Sequence, residues 1–182
     1  MSKSKKKKVN PLRRPATAAD IKAAKKAAFD AAISHNWAVF FTVMMDKEGA
    51  SNETLNQVWD DVSDIADIID RRLVDVPTLL RDLEANGVEL GEARRKVIYR
   101  KKGQIDVSSV RAAQKQAMDE AILYTWVLFF TALKNGQGMD RAALSRIWQE
   151  VQYLEDSIRN GYVDIKDLME TLEEENGITL ID

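Results

Sequence analysis

Apolar residues recur at intervals of three and four along much of the chain, and the pattern returns 89 residues later. Leu55, Val58, Val62, Ile65 and Ile69 keep this spacing, and Leu144, Ile147, Val151, Leu154 and Ile158 repeat it. Such spacing puts one apolar stripe on a helix. Val76, Leu79, Leu80 and Leu83 form a shorter stripe, matched by Ile165, Leu168, Met169 and Leu172. The pattern differs around Trp37, Phe40, Phe41 and around Trp126, Phe129, Phe130, where apolar residues cover more than one helix face. A helix that is apolar nearly all round is buried on all sides. One face is expected to fill the core of its own unit, and the rest to meet the other unit or a second chain.

The match between halves runs without a gap from residues 19–85 to 108–174. Trp37 pairs with Trp126, Thr42 with Thr131, Trp59 with Trp148, Asp67 with Asp156 and Asp75 with Asp164. Asn86-Gly87 meets Asn176-Gly177 after one inserted residue. Self-similarity at one fixed period marks a duplication. The sequence therefore predicts an all-α protein of two homologous three-helix units, residues 17–91 and 107–182. Local signals place the ends of the first unit's helices. Thr17 with Asp20 reads as an N-cap close to a capping box, and the helix runs to about Met45, where Asp46-Lys47-Glu48-Gly49 stops it. A second helix follows Ser51. A third starts at the N-cap Asp75, with Pro77 harmless in its first turn, and ends at Asn86-Gly87. Two like surfaces then pair as a pseudo-dimer, and a homodimer is the alternative.

Charge changes the picture at two places. The chain of 182 residues has a formal net charge of −2, but residues 1–26 carry +9 and the remainder −11. Lys3, Lys5, Lys6, Lys7, Lys8, Arg13 and Arg14 precede any apolar periodicity, and Pro11 and Pro15 oppose helix there. Residues 1–16 read as a flexible basic arm. Residues 92–106 read as a basic linker holding Arg94, Arg95, Lys96, Arg100, Lys101 and Lys102 around Val97, Ile98 and Tyr99, a triplet that fits a short helix or an extended strand. Tyr99 fits a base-stacking role or, more simply, anchors the linker to the body. Cationic arms neutralise phosphates and release counterions, so nucleic acid is the expected partner of Lys5, Lys6, Lys7, Lys8, Arg13, Arg14 and the six linker cations. The bland alternative is a solubility or localisation tail.

Other chemistry is scarce. The chain has no cysteine and one histidine, His35, which rules out disulfides, thiolate sites and multi-histidine metal sites. No phosphate-binding loop, dinucleotide fingerprint or calcium loop occurs. Neither a cofactor nor a metal is expected, and the reading is non-enzymatic. Asp60, Asp64 and Asp67 share a helix face, but Gln149 and Tyr153 replace the first two in the second copy, so a solvated acidic face is the better reading than a cation site. Asp67 and Asp156 are candidates to cap or pair with a neighbouring unit. Lys26 and Asp30 recur as Lys115 and Asp119 at the spacing of a helical ion pair. With Trp37, Phe41, Trp126 and Phe130 they are the repeat-matched candidates for an interface or pocket. His35 faces Tyr124 in the alignment and reads as a surface or interface residue. No apolar run approaches the roughly 20 residues of a membrane span, and the charged N-terminus lacks the apolar stretch of a secretory signal.

The segments WAVFFTVMMDKEG, LNQVWDDVSDIADII and VDVPTLLRDLEANGVEL resemble small all-helical proteins of bacterial prophages and mobile elements that carry a lysine-rich leader. The second copy, from TWVLFFTALKNGQG to its C-terminus, is similar to the same pattern. The resemblance implies a phage accessory protein acting in the bacterial cytoplasm and carries over no functional residue. Two functions are expected from this. One is a binding protein that uses arm and linker on nucleic acid and its body on protein. The other is an anti-defence protein sequestering a host defence protein or a nucleotide signal.

Overall fold

The computed structural model describes residues 17–88 and 110–180. They form six helices: α1 (Ala18–Glu48), α2 (Asn52–Asp70), α3 (Val76–Ala85), α4 (Val110–Asn135), α5 (Arg141–Arg159) and α6 (Ile165–Asn176). No strand occurs among the described residues, and the architecture is all-α.

Helix starts lie where short polar side chains can take up orphan backbone N–H groups. Thr17 accepts from the Asp20 N–H at 3.2 Å, and the Asp20 carboxylate accepts from the Thr17 N–H at 2.9 Å, a complete capping box. Ser51, Asp75, Asp140 and Asp164 cap α2, α3, α5 and α6 by the first of these bonds alone, each side chain accepting from a backbone N–H two or three residues on. The first helix does not stop at Met45. It continues through Asp46, Lys47 and Glu48 to Gly49, because those three residues have no helix-breaking property. After α5 the chain turns through Gly161 at φ 75°. The sequence-matched position after α2 is Arg72 at φ 59°, so a branched-off side chain occupies a conformation that favours glycine.

The packing follows only in part the expectation that one face fills each unit's own core: Trp37 and Phe41 meet Trp59, and Trp126 and Phe130 meet Trp148, but the backbone contacts are mostly between halves. Helix α1 packs mainly on α4, and then on α5 and α6. Helix α4 packs on α1, α2 and α3. The backbones of α1 and α2, joined by a three-residue loop, hardly approach one another. Each amphipathic pair thus crosses over to the first helix of the other half. The reason lies in the apolar distribution. Trp37, Ala38, Val39, Phe40 and Phe41 are consecutive and all buried, as are Trp126, Val127, Leu128, Phe129 and Phe130. No single neighbour can cover such a girdle, so α1 and α4 lie at the centre and cover each other. The four outer helices each contribute one stripe: Leu55, Val58 and Val62; Leu80 and Leu83; Leu144, Ile147 and Val151; Leu172.

Helices α1 and α4 run parallel and in register. Asn36 donates from Nδ2 to Thr125 Oγ1 at 2.6 Å, and one turn later the Phe40 and Phe129 rings stack at 4.2 Å with 5° between their planes. Both pairs join sequence-matched positions. Two successive matched contacts require parallel helices, since an antiparallel pair would let such matches meet at one height only. The Asn36–Thr125 pair is 0–1% exposed. Its members are further satisfied by Ala121 O, which accepts from Thr125 Oγ1 at 2.9 Å, and by Trp126 Nε1, which donates to Asn36 Oδ1 at 3.3 Å. A buried polar pair between parallel helices opposes sliding, because any shift would strand polar groups in the core.

Candidate functional site

The twelve cations proposed for nucleic acid, Lys5 to Arg14 and Arg94 to Lys102, lie outside the described residues, as do the arm and the linker. The described body is acidic: 14 Lys and Arg stand against 25 Asp and Glu, a charge of −11. The contrast between body and remainder is therefore sharper than the whole-chain value suggests.

The repeat-matched aromatic residues are core. Trp37, Phe41, Trp126 and Phe130 are at most 3% exposed. Phe41 also lines a cavity of about 270 Å³ with Leu55, Asn56, Trp59 and the segment Gly177–Leu180. The matched second-helix tryptophans part company. Trp59 is 43% exposed, whereas Trp148 is buried against Trp126 with ring centroids 4.3 Å apart. Lys26 and Asp30 close their ion pair at 2.6 Å on the surface of α1. Lys115 and Asp119 make no such contact and instead line a groove with Ala27, Ala28 and Arg111.

His35 is an interface residue. Its Nε2 lies 3.2 Å from both oxygens of Glu155 on α5. The acidic face of α2 forms no metal cage, and among the described residues no group of three His, Asp or Glu side chains could hold an ion. Asp67 and Asp156 pair within their own helix ends, with Arg71 at 3.6 Å and Arg159 at 2.7 Å, rather than with a neighbouring unit.

Polar ties join the two halves at several further points. Arg146 on α5 donates two hydrogen bonds to the Glu48 carboxylate at 2.9 and 2.7 Å. Those bonds hold the Glu48 carboxyl below its usual range and raise Arg146 further. Lys134 on α4 pairs with Asp82 on α3, and Gln137 donates to Asp61 on α2 at 3.0 Å. Tyr124 is pushed up by burial and by the nearby Asp70. It lines a groove of about 420 Å³ with Phe29, Val76, Pro77 and Leu123, rimmed by Asp70 and Glu120.

Sequence reasoning missed two features. Asn36 and Thr125 gave no signal as single polar residues; they occupy matched positions just before the two apolar girdles, and only the packing of α1 on α4 brings them together. Leu73 and Tyr162, also matched, project from the α2–α3 and α5–α6 turns at 75% and 83% exposure. No helix among the described residues is long and apolar enough to cross a membrane.

No protein-family model, curated protein or solved structure matches the chain. The arrangement is thus interpreted from its own chemistry: a tightly interlocked acidic body with partly open apolar grooves, and strongly basic segments attached to it.

Proposed function

We propose that the protein is a non-enzymatic accessory binding protein of a phage or mobile element, acting in the bacterial cytoplasm. In this reading the chain is a fused duplicate of a three-helix unit whose ancestor paired as a two-fold dimer, joined by the basic linker. The arm and linker bind nucleic acid, and the helical body associates with protein. The observation that carries the reading is the charge division, −11 on the described body against +9 on the rest of the chain. Attraction to a polyanion is then strongest at the basic elements, while the body as a whole is repelled by it.

The test is fluorescence anisotropy with labelled DNA and RNA oligomers between 50 and 200 mM salt. If arm and linker each neutralise about three phosphates, they contribute a slope of log affinity against log salt of about −4 to −5. Deleting residues 1–14 removes about half of that contribution. Changing the six linker cations to Gln removes most of the rest. Absence of binding by the full chain near 50 mM salt overturns the reading.

A second reading, sequestration of a host defence protein, is favoured by Leu73 and Tyr162. Large apolar side chains at matched, protruding positions suit protein contact better than solvent. Ser replacing both would abolish capture of a protein partner and leave oligonucleotide binding intact.

A further inference from the structure

The parallel course of α1 and α4 has a consequence for charge. Their N-terminal ends lie side by side, at the roughly 8–10 Å spacing of packed helices. Residues 17–31 and the matched stretch 110–120 carry Lys22, Lys25, Lys26, Arg111 and Lys115 against Asp20, Asp30, Asp119 and Glu120, a charge of +1, and all the acids but Asp20 lie at the inner limit of the stretch. The remaining described residues carry −12. One end of an otherwise acidic body is therefore cationic. Lys22 matches Arg111 and Lys26 matches Lys115 in the sequence alignment, so in-register packing sets like charges at the same height on both helices.

We propose that this end of the α1/α4 pair is itself a nucleic-acid contact surface, in which Lys22, Lys25, Arg111 and Lys115 continue the phosphate contacts of the basic arm. The inference rests on the nucleic-acid reading above. Two observations carry it beyond that reading. First, the four side chains have no carboxylate partner among the ion pairs of the described residues, whereas Lys26 is tied to Asp30 at 2.6 Å and is left out. Second, a groove of about 660 Å³ opens between the helices here, floored by Ala27 and Ala28 and flanked by Arg111, Gln114 and Lys115. Small alanines let a sugar–phosphate backbone approach between the cations, and the amide of Gln114 adds a neutral donor. Asp119 and Met118 mark the inner edge of the groove, where the positive region ends.

Nucleic acid fits this end better than an anionic membrane. A helix lying in a bilayer surface presents a broad face of large apolar residues. Here Met118, at 45% exposure, is the one large exposed apolar side chain on these stretches.

The experiment compares the full-length chain with the variant Lys22→Gln, Lys25→Gln, Arg111→Gln, Lys115→Gln. Gln has nearly the helix propensity of Lys and Arg, and circular dichroism checks that the fold is kept. Should the fourfold variant fail to fold, Lys22→Gln with Arg111→Gln serves, with half the effect. Binding of a labelled 20-base-pair duplex and a 20-nucleotide strand is measured by anisotropy from 50 to 200 mM salt. Loss of four phosphate contacts makes the slope of log affinity against log salt shallower by about three. Lys166→Gln, on the acidic α6, leaves the slope unchanged. If the wild-type chain binds and the fourfold variant keeps its slope, this inference fails while the arm-and-linker reading stands. If the wild-type chain binds neither oligomer, the nucleic-acid reading itself fails. If it binds phosphatidylserine vesicles instead, and the fourfold variant does not, the surface is a membrane contact and the inference is overturned.

Discussion

Phe40 and Phe129 offer the sharpest test of the parallel register. Both are fully buried, and their rings stack 4.2 Å apart at 5° on the seam between α1 and α4. Truncating either to Ala removes a large core side chain and leaves a cavity, at a cost of about 3–5 kcal/mol. Each ring has other neighbours: Trp37 lies 5.6 Å from Phe40 and 6.1 Å from Phe129, and Phe130 packs at 6.4 and 5.2 Å. Much of the cost is therefore independent of the partner ring. The part that is not independent is the stack, worth about 0.5–1.5 kcal/mol, which the second truncation cannot lose again. Two truncations together would cost about 6–10 kcal/mol before that coupling, close to the whole stability of many domains. The cycle is therefore also run with Phe40→Leu and Phe129→Leu, which leave the chain folded. Urea unfolding followed by circular dichroism, with linear extrapolation, gives the four free energies. Additivity within about 0.3 kcal/mol in both cycles would mean that the rings do not meet. The in-register packing, and the cationic end built on it, would then be wrong.

Four further outcomes follow from the structure. Arg72→Gly relieves a left-handed residue and stabilises by about 0.5–1 kcal/mol in urea unfolding, whereas Gly161→Ala at the matched turn destabilises. Gly136→Ala would set its new methyl 1.9 Å from Asp61 Oδ2, so Asp61 must swing away and lose its bond from Gln137, a cost of about 1–3 kcal/mol by the same assay. Trp148→Ala costs about 3–5 kcal/mol and Trp59→Ala distinctly less, because only the former is buried; equal losses would contradict the packing. Glu48 titrates lower when folded than unfolded, so its pairing with Arg146 stabilises above the ordinary Glu range and is lost as pH falls through the depressed value; Arg146→Gln therefore lowers the urea midpoint at pH 7 and not at pH 2.

Much of the fold was legible because its signals are local. Helix starts follow from single side chains that can reach a nearby N–H, as at Thr17, Ser51 and Asp75, and the amphipathic stripes follow from a period of three to four residues. The end of α1 was less legible, since a polar run such as Asp46-Lys47-Glu48 is compatible with both helix and loop. The candidate site divides in the same way. Charge runs announce themselves in sequence, as Lys3 to Lys8 do, whereas the cationic end depends on which helix ends come together.

The sequence alone determined that Trp37, Phe40, Phe41 and their matches would be buried, because their apolar area has to leave water whatever the topology. It did not determine what would cover them. A stripe such as Leu55, Val58, Val62 fits the first helix of either half equally well, since the two first helices are nearly alike in this region. Tertiary structure made that choice: a short loop and two all-round apolar helices are satisfied together when α1 and α4 lie parallel at the centre and the outer pairs cross over. The polar pair Asn36–Thr125 and the stacked Phe40–Phe129 then fix the register, because hydrogen-bond geometry and ring contact are short-ranged and tolerate no slip along the helix.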